Sequence, residues 1–163
     1  MRDPIRLDRV FLFQDQLNFL IPHDWLEGES EDSEDYLYHA PETDSGWLRV
    51  SLITLKLGNE TPDERLLRLQ ANWLEDSNVA VYAEEESGNI IKKWEKDSIE
   101  NGDLIHVYHW CVANTVPPNF VMEAVFTYSI LDTRKAEPET IETVELVEQL
   151  VGIAKFAPRA LIQ

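Results

Sequence analysis

The stretch Ile105–Leu131, IHVYHWCVANTVPPNFVMEAVFTYSIL, decides the fold. It predicts two long apolar strands, Leu104–Asn114 and Phe120–Leu131, joined by a short loop that holds Pro117 and Pro118. No other segment is as apolar over such a length. Along the second strand Phe120, Met122, Ala124, Phe126, Tyr128 and Ile130 share one face, while Glu123, Thr127 and Ser129 share the other. Along the first, Tyr108 and Trp110 share a face with Leu104, His106 and Val112. One side of the sheet is expected to be sealed by two helices. The other is expected to be only partly covered, and is the first place to look for a binding surface.

Upstream, Asn101-Gly102 is the strongest hairpin signal, because a type I′ turn needs positive φ at both positions. It joins a strand over Ile90–Ile99 to the opening stretch and makes a three-strand antiparallel meander. A short strand over Val79–Glu85 precedes it. Before that, Thr61-Pro62-Asp63-Glu64 carries a helix start: Thr61 as N-cap, Pro62 at the first helical position and Glu64 closing a capping box. Leu66, Leu69 and Trp73 give that helix an apolar face through about Asp76. A strand over Trp47–Leu57 has apolar residues on both faces, as expected inside a sheet. Val10–Ile21 reads as a strand pair or one long bent strand, ended by Pro22. Downstream, Pro138 opens a last helix with Ile141, Val144, Leu150 and Val151 on its apolar face. Gly152 lies inside that pattern and weakens it, and Pro158 ends it.

Between Pro22 and Trp47 the chain is acidic. The loop at about 27–46 holds Glu31, Asp32, Glu34 and Asp35 with no Lys or Arg, interrupted by a short strand at Tyr36-Leu37-Tyr38. A solvated loop is its plainest reading. Docking of a basic protein comes second, and calcium third, because no loop pattern of fixed oxygen offsets is present.

With 163 residues the chain is expected to be a single α+β domain over 1–163 with a full core. Its net charge of -17 repels nucleic acid phosphates and anionic membrane surfaces, so neither is an expected partner. A basic protein partner suits that charge. Cys111 is the only cysteine, so no internal disulfide can form. The first residues, Met1-Arg2-Asp3-Pro4-Ile5-Arg6, lack the apolar core of a secretory signal. A cytoplasmic, bacterial protein is expected.

No catalytic constellation is visible. His106 and His109 are three apart on a strand and point to opposite faces, so they cannot share a metal ion. Cys111 and His109 share a face but stand about 7 Å apart, too far for a thiol–imidazole pair. Phosphate-binding, dinucleotide, zinc-protease and nucleophile-elbow motifs are absent, and only 6 glycines are present. No catalytic residue, metal or cofactor is therefore assigned. Of five tryptophans, Trp94 lies among Lys92, Lys93, Glu95 and Lys96, where an exposed ring acts as an interface anchor and a packed one as sheet cover.

The segment Phe19-Leu20-Ile21-Pro22-His23-Asp24-Trp25 resembles the strand, Pro, then Trp opening of the PsbP-like superfamily. The capped mid-chain helix, the long meander and the acidic C-terminal helix resemble it too. The resemblance implies an α/β/α sandwich around a curved antiparallel sheet of about six to seven strands flanked by two main helices. It implies no enzyme. Members include extrinsic photosystem proteins, a nuclear-import factor, bacterial lipoproteins and adaptor chaperones for type VI secretion effectors. The lack of an export signal or lipobox sets the chain apart from the photosystem and lipoprotein branches.

The expected function is a non-enzymatic protein-binding module, an adaptor, secretion-effector chaperone or immunity-type protein that docks a basic or apolar partner segment. The residues proposed for it are Trp94, Tyr108, Trp110, Glu31, Asp32, Glu34 and Asp35. The alternatives are a carboxylate and histidine enzyme built on His23, His39, His106 or His109, and a carrier whose pocket is lined by Trp110, Phe126 and Tyr128.

Overall fold

The computed structural model describes residues 4–29, 34–41 and 46–158. The chain runs β1 (Leu7–Leu12), β2 (Leu17–Pro22), β3 (Leu26–Gly28), β4 (Tyr36–His39), β5 (Trp47–Leu55), α1 (Pro62–Leu74) and β6 (Ala80–Ala83). It continues through β7 (Ile90–Glu100), β8 (Asp103–Val116), β9 (Phe120–Leu131), α2 (Pro138–Gly152) and β10 (Lys155–Phe156). A single 3-10 turn at Asp132–Arg134 links β9 to α2. The fold is α+β. A seven-stranded sheet has the order β3-β4-β5-β9-β8-β7-β6, and a three-stranded sheet the order β1-β2-β10. Every strand pair is antiparallel.

The meander forms as its turn residues require. Asn101 and Gly102 have φ of 51° and 85°, the positive values of the expected turn. Glu100 then faces Asp103, and pairing runs unbroken to Ile90 opposite Ala113. β5 inserts beside β9, so the longest strands occupy the middle of the sheet. α1 starts as expected: Thr61 accepts from Glu64 N–H, and Glu64 accepts from Thr61 N–H. Val10–Ile21 resolves into the strand pair, turning through Phe13, Gln14 and Asp15, all with positive φ.

Both helices were expected on one side of the large sheet, and this is corrected. α2 and the small sheet cover one face. There Val147 and Val151, together with Leu17 and Phe19, pack on Val50, Trp110, Val112 and Phe126. α1 covers part of the other face, with Leu69 and Trp73 over Ile90, Cys111 and Ala113. The alternation of each strand serves both layers: Cys111 faces α1, while Trp110 and Val112 face α2.

α2 ends at Gly152, six residues before Pro158. The buried Asn89 side chain donates to Gly152 O at 3.0 Å and Ala154 O at 2.8 Å, and Ser87 Oγ donates to Gly152 O at 2.9 Å. These bonds satisfy carbonyls that a helix end leaves without partners. The chain then pairs Phe156 with Leu17 as β10.

Candidate functional site

Because α1 covers only one end of its face, the rest of that face is open. It forms a trough of about 1280 Å³. Val107 and His109 from β8, with Thr127 and Ser129 from β9, line it, flanked by Trp47 and Arg49 from β5 and Lys96 and Ser98 from β7. Register places these side chains together. Arg49, Thr127, His109 and Trp94 form one row across four strands, and Trp47, Ser129, Val107 and Lys96 form the next. Leu37 extends the apolar part, while Glu29 and Glu100 add acid.

Trp47 is the main apolar group offered to solvent, 41% exposed. Its indole packs on His39 at 4.3 Å between centroids. It also lies against Gly28, where an added Cβ would stand 2.6 Å from the ring. Gly28 thus lets the indole lie across β3. Arg49 pairs with Asp35 at 3.3 Å, and Lys96 has no ion pair among the described residues. Burial pushes His109 below its ordinary pKa and Lys96 adds to the effect, so its imidazole is neutral at neutral pH.

Residues proposed from the sequence separate in space. Trp94 is half-buried on the trough side, stacked on His109 at 4.6 Å with Lys92 Nζ 4.9 Å from its ring. Tyr108 and Trp110 are on the opposite face. Trp110 is only 2% exposed, sits in the core and donates to Glu148 at 3.4 Å. It is therefore not presented to a partner. Tyr108 is half-buried beside it, 6.3 Å between ring centroids. Asp35 holds Arg49 at the trough, and Glu34 is exposed just before β4. Glu31 and Asp32 lie outside the described residues. The carrier pocket expected at Trp110, Phe126 and Tyr128 is filled: Phe19 packs edge-on against Phe126 at 5.2 Å, and Trp25 stacks on Tyr128 at 6.3 Å.

The histidines also separate. His106 donates from Nδ1 to Asp97 at 2.7 Å and from Nε2 to Glu95 at 2.8 Å. Donation from both nitrogens requires the imidazolium. Burial works against that charge, yet the bonds to Asp97 and Glu95 outweigh it and hold the pKa above the usual histidine range. Asp97 is held below the usual carboxylate range, first by its bond from His106. Ligand atoms of Asp97, His106 and Asp132 lie within 4.8 Å of one another. Lys135 Nζ reaches Asp132 at 2.8 Å, so two internal cations already balance these acids, and a metal ion must displace them. His23 pairs with Asp8 at 2.8 Å in a half-exposed position. His109 lines the trough but meets no carboxylate. Among the described residues, no histidine combines a large cleft with an acid partner as general acid–base work needs.

The sequence reading missed the pairing of His106 with Asp97. The signal was present: counting outward from Asn101-Gly102 sets Asp97 opposite His106 and Trp94 opposite His109.

No protein-family model matches the chain, and no curated protein matches it in sequence. Solved structures do match in shape. One is a crystal structure from Bacteroides thetaiotaomicron, with a TM-score of 0.62 and 14% identity over 91% of this chain. This chain spans 47% of that larger one. A second is LpqN of Mycobacterium tuberculosis, described as involved in cell envelope biogenesis, with a TM-score of 0.57 and 15% identity over 96% of this chain and 93% of LpqN. The chain shares the α+β fold of these two structures. The cyanobacterial PsbP of Synechocystis sp. PCC 6803 also matches, at a TM-score of 0.42 and 14% identity over 94% of each chain, a likeness too slight to argue from. The likeness to the first two structures is one of fold alone and carries over no site residue. No helix among the described residues is long and apolar enough to cross a membrane.

Proposed function

We propose that the chain is a cytoplasmic, non-enzymatic protein-binding module of adaptor, chaperone or immunity type, and that it receives an apolar segment of its partner in the trough. The observation that carries this reading is the half-covered sheet face: Trp47, 41% exposed, lines one trough with Leu37, Val107, Glu29 and Glu100. An aromatic ring already pinned by His39 loses little side-chain freedom when a partner covers it. Cys111 is buried under α1 and its thiol is pushed up to about 12, which suits a core residue and not a nucleophile.

The test is site-specific photo-crosslinking in the native host. A photoreactive residue at Thr127 is compared with one at Leu67, exposed on the outer side of α1. The expected result is an adduct with one protein from Thr127 only. Trp47→Ala should then weaken binding of that purified protein by about 2 kcal/mol, roughly thirtyfold. Equal adducts from both positions, or none from Thr127, would overturn the reading.

A further inference from the structure

A second surface lies at the opposite edge of the sheet. β6 ends the strand order, so one of its edges is unpaired. Glu84 N–H donates to Asn89 O, which fixes the alternation. Ala80 and Tyr82 bond toward β7, and the amide and carbonyl groups of Val81 and Ala83 point outward. Neither has a backbone partner beyond β7 among the described residues.

Beside this edge, between β6 and α2, runs a groove of about 450 Å³. Its apolar floor is Tyr82, Ile91 and Ile153, and its acids are Glu84, Glu86 and Glu148. A cavity of about 340 Å³ lies along the same seam, shares Glu148, and adds Val144, Glu95 and Glu145. Lys93 is bound to Glu148 at 2.6 Å and the His106 imidazolium to Glu95 at 2.8 Å, which leaves Glu84, Glu86 and Glu145 without an ion pair among the described residues. The seam therefore combines free strand hydrogen bonds, an apolar floor and an excess of negative charge.

We propose that a basic, extended segment of a partner protein docks here as an added strand on β6. Lys or Arg side chains alternate with small apolar ones along it. Alternation follows from the pleat: every second side chain turns to the α2 side and meets Glu84, Glu86 and Glu148, and the others lie beside Val81 and Ala83 toward α1. The carboxylates steer the segment, and β6 sets its register. The inference takes the chain as a binding module but uses a surface other than the trough.

The test uses the full chain and two fluorescein-labelled peptides, one alternating lysine with valine and one with glutamate in place of lysine. The expected result is fluorescence anisotropy showing binding of the lysine peptide alone, lost as salt rises. Amide resonances of Val81 and Ala83 should shift. Glu86→Lys combined with Glu145→Lys changes two surface charges, and its fold is checked by thermal unfolding. It should weaken binding about tenfold. Ala83→Pro, which removes an outward N–H, should do the same. No binding of the lysine peptide, or unchanged binding to the charge-reversed variant, overturns the proposal. Shifts confined to Thr127 and Ser129 also overturn it while supporting the trough. The Thr127 crosslink tests the trough reading by itself.

Discussion

The two faces of the seven-stranded sheet are built from alternate residues of the same strands, yet they do different work. On the α2 face, β5, β8 and β9 contribute Val50, Val112, Ala124 and Phe126, each 0% exposed. On the α1 face the same strands contribute Arg49, His109, Thr127 and Ser129, which line a trough. The first face has two covers, α2 and the small sheet. The second has only α1, which reaches Cys111 and Ala113 but stops short of His109. Stability therefore concentrates on one face, leaving the other free to evolve for contact.

Mutation can break that contrast. The largest effect is expected from Phe126→Ala on the sealed face, about 3–5 kcal/mol of lost stability in urea unfolding, because Phe19 cannot close the cavity. Thr127→Ala, its immediate neighbour on the other face, should change stability by less than about 0.5 kcal/mol. Similar losses at both positions would end the distinction. Gly46→Ala comes next. The added Cβ would overlap the Tyr128 ring and Ile130, costing about 1–3 kcal/mol in the same measurement. Asn89→Ala should cost about 1–3 kcal/mol by stranding the Gly152 and Ala154 carbonyls, with hydrogen exchange rising first at the end of α2.

The smallest effect is a slope. His106 has a folded pKa above its ordinary 6.5, so its contribution is complete below that value. The contribution fades as pH rises through the folded pKa. Asp97 acts in the opposite direction. Its folded pKa lies below 3.8, so its contribution is present above that value and is lost as pH falls through the folded pKa. His106→Gln should flatten the alkaline slope of a pH series of thermal melts, and an unchanged slope would remove His106 from the account.

Much of this was legible in the sequence because the signals were local. Asn101-Gly102 sets the β7–β8 register, Thr61 to Glu64 starts α1, and Phe120–Leu131 is β9 residue for residue. β3 and β10, three and two residues long, are too short for any period to register. The helices' opposite placement, which the α/β/α sandwich of the resemblance implied, was not legible in the residue pattern itself. An apolar stripe says that a helix needs cover, but which face supplies it depends on how the chain crosses the sheet. Trp110 and Trp94 looked alike as aromatic anchors. Their difference lies in what packs above each, Glu148 and the α2 layer in one case and Lys92 in the other.

The position of β5 beside β9 has a consequence for how the chain is made. Meander contacts are local and can form as soon as Leu131 is available. β5 must wait, because its neighbour follows only after α1, β6, β7 and β8. During synthesis β3, β4 and β5 can pair with one another, but the outer edge of β5 has no partner until Phe120 emerges. A chain halted before Phe120 leaves that long apolar edge of β5 bare, an aggregation-prone template until the ninth strand arrives.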